Sequence, residues 1–205
     1  MLYLTAAVIT GITTASELRI KFHTLRRMDF MNIETERIIL RVFAMEDLED
    51  LHEILGNSEV MLNTEPAYDK PKTEEFLRAF CVGRNPRPAF AAVLKSTGKV
   101  IGYVLFKSID EPEIYEIGWI FNKNFWRFGY AFEICQRLIC HGFENMGLHK
   151  ICAEAIDDIK SISLMKKLGM TLEGVQKEHT KSNDGKWRDL YWYAILEKDY
   201  FHSGF

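Results

Sequence analysis

From Thr35 onward the apolar positions change period several times, and each change marks an element. "RIILRVF", residues 37–43, is a short apolar run that predicts a strand. In "MEDLEDLHEILGN", Leu48, Leu51, Ile54 and Leu55 share one helical face, acids crowd the start where the dipole favours them, and Gly56-Asn57 is a stop. "DKPKTEEFLRAF" predicts a second short helix, capped by Thr73 and turning Phe76, Leu77 and Phe80 inward. "PAFAAVL" and "VIGYVLF" flank Ser96-Thr97-Gly98-Lys99, a hairpin signal with glycine in the turn. "EIYEIGWIF" after Pro112 adds a third antiparallel strand. Residues Gly129 to Met146 read as a helix, with Ala131, Cys135, Leu138 and Gly142 on one line, Ile139, Phe143 and Met146 on the next, and Gly147 as the C-terminal stop. "HKICAEAI" is a strand, and "SISLMKKLGM" a short helix opened by Ser161 and closed at Gly169. "LEGVQKEHT", the turn Asn183-Asp184-Gly185 and "WRDLYWYAIL" form a terminal hairpin. The order β-α-α-β-β-β-α-β-α-β-β predicts an α/β fold with a mixed, mostly antiparallel sheet whose antiparallel half comes first.

Composition changes this picture little. The 205 residues suffice for one core without disulfide or metal support, and there is neither a low-complexity tract nor an internal repeat. The net charge of −3, with Lys and Arg spread among acids, gives no nucleic-acid footprint. Cys81, Cys135, Cys140 and Cys152 form no CxxC pair, and Cys135 and Cys152 sit in apolar-periodic segments, which suits reduced core thiols in a cytoplasmic protein. "MLYLTAAVITGIT" is apolar but too short to span a bilayer and lacks the basic start of a secretory signal. Residues 1–30 are therefore set apart from a domain over residues 31–205, either as an extra N-terminal element or as the product of an upstream start codon, with the natural start at Met28 or Met31. The second reading is favoured because the organised pattern begins only at "IETERIILRVF".

The candidate chemistry begins at "FWRFGYAFE", residues 125–133. A turn entering a helix N-terminus exposes N–H groups without intrahelical partners, and the helix dipole adds positive potential. Gly129 and Ala131 let backbone approach a ligand closely, and Arg127 brings a permanent charge suited to phosphate. Alone, the turn equally suits a plain connection, since it lacks the lysine of a P-loop and the second glycine of a dinucleotide fingerprint.

The context carries a resemblance. The stretch from "EIGWIFNKNFWRFGYAFEICQRLICHGF" through "HKICAEAIDDIKSISLMKKLGM" is similar to the acetyl-CoA-binding core of the GNAT N-acetyltransferases, in the RimJ/RimL-type branch of ribosomal-protein alanine acetyltransferases. "TERIILRVFAMEDLEDLHEIL" and "NDGKWRDLYWYAILEKDY" resemble that branch's opening and closing elements, so the likeness runs roughly from Ile33 to Tyr200. The family's Q/R-x-x-G-x-G/A loop corresponds to Trp126-Arg127-Phe128-Gly129-Tyr130-Ala131, matched at its fourth and sixth positions. The resemblance implies that N–H groups from Arg127 to Ala131 bind the pyrophosphate of acetyl-CoA, and that Trp119, Ile120 and Phe121 pair through their backbone with the pantetheine arm. The partners it implies are acetyl-CoA and an amine acceptor, either a peptide N-terminus or a small amine, on a monomer or homodimer, with no metal, nucleic acid or membrane.

Two departures stand out. The family's Asn-x-x-Ser appears as "DIKS", with Asp158 replacing an amide that both donates and accepts, while Ser161 is kept. The tyrosine that serves many relatives as general acid falls at Met165, which has no proton to give. Acetyl transfer needs a neutral amine, a route for its proton and stabilisation of the oxyanion and thiolate. Glu116 on the strand beside the thioester is the candidate base, Ser161 the candidate partner of the leaving thiolate, and a backbone N–H near Ile117 to Trp119 the candidate oxyanion donor. Glu116 also reads as a plain strand residue, and Ser161 as an N-cap. Asp158 is counted with the cofactor contacts. Asp189, Tyr191 and Tyr193, with Glu65 to Tyr68, are candidate walls of an acceptor pocket. His52, His141 and His149 lack ligand spacing. A catalytically weak acyl-CoA-binding or regulatory module is the rival reading; an α/β nucleotide-binding protein is disfavoured by the antiparallel first half.

Overall fold

The structure, a computed structural model, describes residues 32–156 and 159–202. The expected extension over residues 1–30 and the candidate Asp158 lie outside the described residues. An eight-stranded sheet runs in the order β1-β2-β3-β4-β5-β6-β8-β7. Its strands are β1 (Ile33–Glu34), β2 (Ile38–Val42), β3 (Ala89–Leu94), β4 (Val100–Ile109), β5 (Glu111–Phe121), β6 (Lys150–Ile156), β7 (Thr171–Lys181) and β8 (Trp187–Leu196). Among the described residues only the β5–β6 pair is parallel, so the sheet is mixed and mostly antiparallel, as the sequence order predicts.

Helices cover both faces. On one lie α3 (Tyr130–His141) and α4 (Ile159–Lys167), whose Ile134, Leu138, Ile139 and Met165 join Ile101, Phe106, Ile117, Ile151 and Tyr193 in the larger core. Each fully buried aliphatic side chain here contributes about 1.5–3 kcal/mol relative to exposure. On the other face, α1 (Leu48–Leu55), α2 (Lys70–Phe76) and the turn that follows it set Leu51, Ile54 and Leu77 against Ala91, Val93 and Tyr103. β3 is buried at every position because both cores claim it, which is why "AFAAVL" reads as an uninterrupted apolar run.

Some local expectations are corrected. Asp69, not Thr73, caps α2 by accepting from the Lys72 N–H at 2.9 Å. Thr73 lies wholly buried inside the helix, where its hydroxyl donates to the Asp69 carbonyl and meets His52 Nδ1 at 2.9 Å. An extended residue ahead of Pro71 is the better cap, since proline fits the first turn. Ser161 sits within α4 rather than ahead of it. Elements the sequence did not foretell include β1, the 3-10 turn Lys123–Phe125 and the terminal helix α5 (Glu197–His202), and the helix expected through Phe80 takes π form over Leu77–Val82. α5 docks through Tyr200, whose hydroxyl donates to Glu144 at 2.7 Å.

Candidate functional site

The site grows from a fork in the sheet. β5 and β6 pair only at Ile114–Lys150, Tyr115–Ile151 and Glu116–Cys152, although β5 continues to Phe121 and β6 to Ile156. β6 stays paired with β8 along its length, and β5 with β4, so the two halves of the sheet part beyond Glu116. From Ile117 to Phe121 the β6-facing edge of β5 has no strand neighbour among the described residues, so strand pairing leaves its peptide groups available to a ligand. Trp119 and Phe121 pack into the larger core and Ile120 against the smaller one.

The turn after β5 closes the mouth of this fork. Asn122 accepts from the Asn124 N–H and begins a 3-10 turn, Lys123–Phe125. The Trp126 indole N–H then donates to the Phe121 carbonyl at 2.8 Å. Arg127 and Gly129 both take left-handed backbone, at φ 69° and 84°, and Gly129 caps α3 with no side-chain bond to its free N–H groups. A Cβ at Gly129 meets only Arg37 Nη2, at 3.5 Å, and otherwise open space. The lack of a local side-chain acceptor, the glycine and the helix end together fit an anionic phosphate group. Lys160, in the first turn of α4, holds its ammonium 4.3 Å from the Trp126 ring centroid, across the same mouth. Phe128 is 59% exposed and stacks on Tyr130 at 5.9 Å. Ala131 packs against the larger core.

Sequence reasoning missed the brace behind this turn. Arg37, on the approach to β2, donates through Nη1 to the Phe128 carbonyl at 3.1 Å and through Nε to Glu133 at 2.7 Å. Its backbone N–H meets the other Glu133 oxygen at 2.9 Å, and its guanidinium lies 4.6 Å over Tyr130. Burial pulls the Glu133 carboxyl upward, but the hydrogen bonds from Thr35 and Arg37 outweigh it and hold the pKa below its ordinary value. An open groove of about 450 Å³ between Arg37 and the start of α3 adjoins the turn. No local pattern at Arg37 signals a partner 96 residues away.

At the fork, Glu116 is paired with Lys107 of β4 at 3.0 Å, its side chain 16% exposed. On the same face of β6 follow Cys152 and Glu154, the latter opposite Trp192 of β8. Burial pushes the Cys152 thiol up to about 11. Partial desolvation, although the residue stays exposed, and then Glu116 raise the Glu154 carboxyl above its ordinary value, against Lys107 and His179. The Trp192 indole N–H is buried with no hydrogen-bond partner among the described residues. Glu154 and Trp192 escaped the sequence reading, which chose the other face of β8. Tyr193 lies in the larger core with Tyr191 packed on it, and Asp189 is tied to Lys177 at 2.7 Å. Strand alternation turns Trp192 to the opposite side.

The loop after α1 and the β7–β8 turn meet beside this face. Asn183 donates from Nδ2 to the carbonyls of Met61 and Glu65, at 2.7 and 2.9 Å, and from its N–H to Leu62 at 3.0 Å. Nearby, Tyr68 is pushed up to about 12 by burial and by Glu65. Ser161 is half-buried in α4, and Met165 of the same helix is fully buried in the larger core. No group of three His, Cys, Asp or Glu among the described residues is arranged to hold a metal, and no helix among them is long and apolar enough to cross a membrane.

Comparison with known proteins gives the same architecture. The model of the acetyltransferase (GNAT) domain matches residues 37–171. The chain is 35% identical over 174 residues to YnaD, an uncharacterized N-acetyltransferase of Bacillus subtilis (strain 168), covering 83% of this chain and 99% of the relative. A GNAT-family acetyltransferase structure from Bacillus anthracis superposes with TM-score 0.74 at 32% identity, covering 82% of this chain and 99% of that one. Spermidine N-acetyltransferase from Vibrio cholerae, solved with CoA and spermine, shares the fold at TM-score 0.70 and 22% identity, covering 82% and 99%.

Proposed function

Since the chain belongs to the GNAT acetyltransferase family, we propose that it moves the acetyl group of acetyl-CoA directly to a primary amine while both are bound. The observation that carries this reading is the coincidence of the fork at Glu116–Cys152 with the helix end at Gly129 that no side chain caps, both along one strand and the turn that follows it. In this reading the N–H groups of Arg127 to Ala131 hold the pyrophosphate, with Trp126 and Phe128 shaping the turn. The open backbone of Trp119, Ile120 and Phe121 pairs with the pantetheine arm. Acetyl-CoA supplies a thioester already activated for acyl transfer, and the chain supplies orientation, an oxyanion donor from the β5 edge near Ile117 to Trp119, and a proton route.

Two carboxylates, Glu116 and Glu154, flank the fork, and the amine's proton goes to one of them. In this reading Ser161 of α4 meets the departing thiolate, and Asp158 stays among the proposed cofactor contacts. Trp126 at the head of the loop and Met165 in place of tyrosine support the RimJ/RimL-type branch. The acceptor is then a peptide N-terminus or a small amine, and the catalytic domain spans residues 31–205. Buried thiols suit the reducing cytoplasm.

The test is to mix the chain with acetyl-CoA and a panel of amines, including Ala- and Ser-initiated peptides, polyamines and aminoglycosides, and to follow free thiol. Saturable acetyl-CoA binding by calorimetry with acceptor-dependent thiol release is expected. Absence of binding defeats the reading. Binding without release for any acceptor favours the weak acyl-CoA-binding module.

A further inference from the structure

We propose that Glu154 is the group that takes the amine's proton, and that Glu116 is a positioning residue that tunes it. The inference rests on the acetyltransferase reading above.

Geometry separates the two carboxylates. Glu116 is the last residue of β5 paired with β6, and Lys107 already occupies its carboxylate at 3.0 Å. Glu154 stands two residues past the fork on the β6 wall, on the face it shares with Cys152, and no described side chain forms an ion pair or hydrogen bond with it. Its register partner is Trp192, whose buried indole N–H also lacks an acceptor among the described residues. Among the described residues, an acceptor and a donor without partners thus share one register pair beyond the fork. A buried indole donor without a partner costs roughly 1–3 kcal/mol, and a polar acceptor molecule would relieve that cost.

The charges acting on Glu154 are Glu116 on β5, which raises its pKa, and Lys107 on β4 and His179 on β7, which lower it. His179 reaches this side through an irregular stretch of β7. The β7–β8 register shifts between Gln176 and Thr180, and Glu178 adopts φ 46° with its N–H on Asp189 at 2.9 Å. Such a bulge re-aims a side chain. Glu154 keeps contact with solvent, so a proton gained there has an exit.

The proton count closes. An acceptor R–NH3+ gives one proton to the Glu154 carboxylate, and the freed nitrogen lone pair attacks the acetyl carbon. The tetrahedral adduct collapses with loss of the C–S bond, and the second nitrogen proton ends on the thiolate as CoA–SH. Glu154 returns its proton to water. The sum is R–NH3+ plus acetyl-CoA giving the amide, CoA–SH and one proton.

The experiment measures Glu154 directly and in turnover. In the free full-length chain, 13C NMR of labelled glutamate carboxyls, assigned with E154Q, should show Glu154 titrating above the ordinary carboxylate range. E116Q should lower that midpoint by removing a negative neighbour, and K107Q should raise it. With acetyl-CoA and the fastest acceptor of the panel, kcat/KM should fall on the acid side with the same midpoint. E154Q should lose that limb with a large drop in kcat, and E116Q should keep it, displaced to lower pH. Glu154 titrating in the ordinary range, or an acid limb that persists unmoved in E154Q, overturns the proposal. Intact calorimetric binding of acetyl-CoA in the same variants shows that the acetyltransferase reading survives such a failure, whereas absent binding in the unaltered chain removes both.

Discussion

Replacing Gly129 by alanine tests whether the β5–α3 turn is a ligand cradle or only a connection. Gly129 has φ 84°, and a Cβ there meets nothing but Arg37 Nη2 at 3.5 Å, so the substitution adds strain without a steric clash. Left-handed backbone costs a non-glycine residue roughly 1–2 kcal/mol, of which roughly 0.4–1 kcal/mol is returned by stiffening the unfolded chain. The net is about 1 kcal/mol, or roughly 2–4 °C in Tm for a chain of this size. Gly98, in the β3–β4 turn, is the matched control, with φ 72° and nothing within 4 Å of its Cβ. G98A and G129A should therefore lose similar amounts in thermal denaturation. Their acetyl-CoA affinities should differ. The methyl at 129 stands in the space that admits a phosphate to the helix end, and losing one charge-assisted N–H bond costs about 1.5–3 kcal/mol, roughly ten- to hundredfold in Kd. Calorimetry should show that loss in G129A and no change in G98A. Equal affinity in both variants, with equal Tm losses, refutes the cradle and leaves the glycine a purely conformational role.

Three further outcomes follow from the same geometry. R37M should lower stability by about 1–2 kcal/mol, a figure discounted because the guanidinium is 42% exposed. Glu133 has a lowered pKa, so its stabilising share is present above its unfolded value and lost as pH falls through the folded one; Tm measured below the ordinary glutamate range should fall less steeply in R37M than in the unaltered chain. N183A removes two bonds that join the β7–β8 turn to Met61 and Glu65, so it should raise the acceptor KM while leaving acetyl-CoA Kd within about twofold, and a change in Kd alone would contradict the assignment of that side to the acceptor. Burial pushes the Cys81 thiol up to about 12 and raises Cys135 and Cys152 as well, so a thiol reagent at neutral pH should modify these three in the native chain only at the pace of unfolding, read by mass spectrometry after digestion.

What was legible in the sequence was whatever depends on neighbours along the chain. The hairpin turns at Gly98 and Asn183–Gly185, the helix stop at Gly147 and the apolar faces of α1 and α3 all follow from local backbone chemistry and period. The resemblance carried by "FWRFGYAFE" added what that stretch is for, since one glycine before a helix is ambiguous by itself. Capping was less legible: Thr73 and Ser161 have the right hydroxyls, but Pro71 favoured a cap at Asp69, and α4 includes Ser161 within its length. On β8 the alternation was visible, yet the phase was not. Which of Tyr191 or Trp192 meets the core depends on register with β6, and a shift of one residue exchanges the faces.

The sequence by itself determined the order of elements and the turn that ends in Gly129, because helix period, turn glycines and the exposed N–H groups of a helix start are properties of a short piece of chain. Only the tertiary structure decided where the sheet splits, that Arg37 braces Glu133 and Phe128 from 96 and 91 residues away, and that Glu154 and Trp192 form a register pair whose polar atoms have no partner among the described residues. Those are relations between strands and side chains far apart in sequence. Strand pairing and the packing of two cores fix them, and no local pattern records which neighbours will be close enough to share a charge.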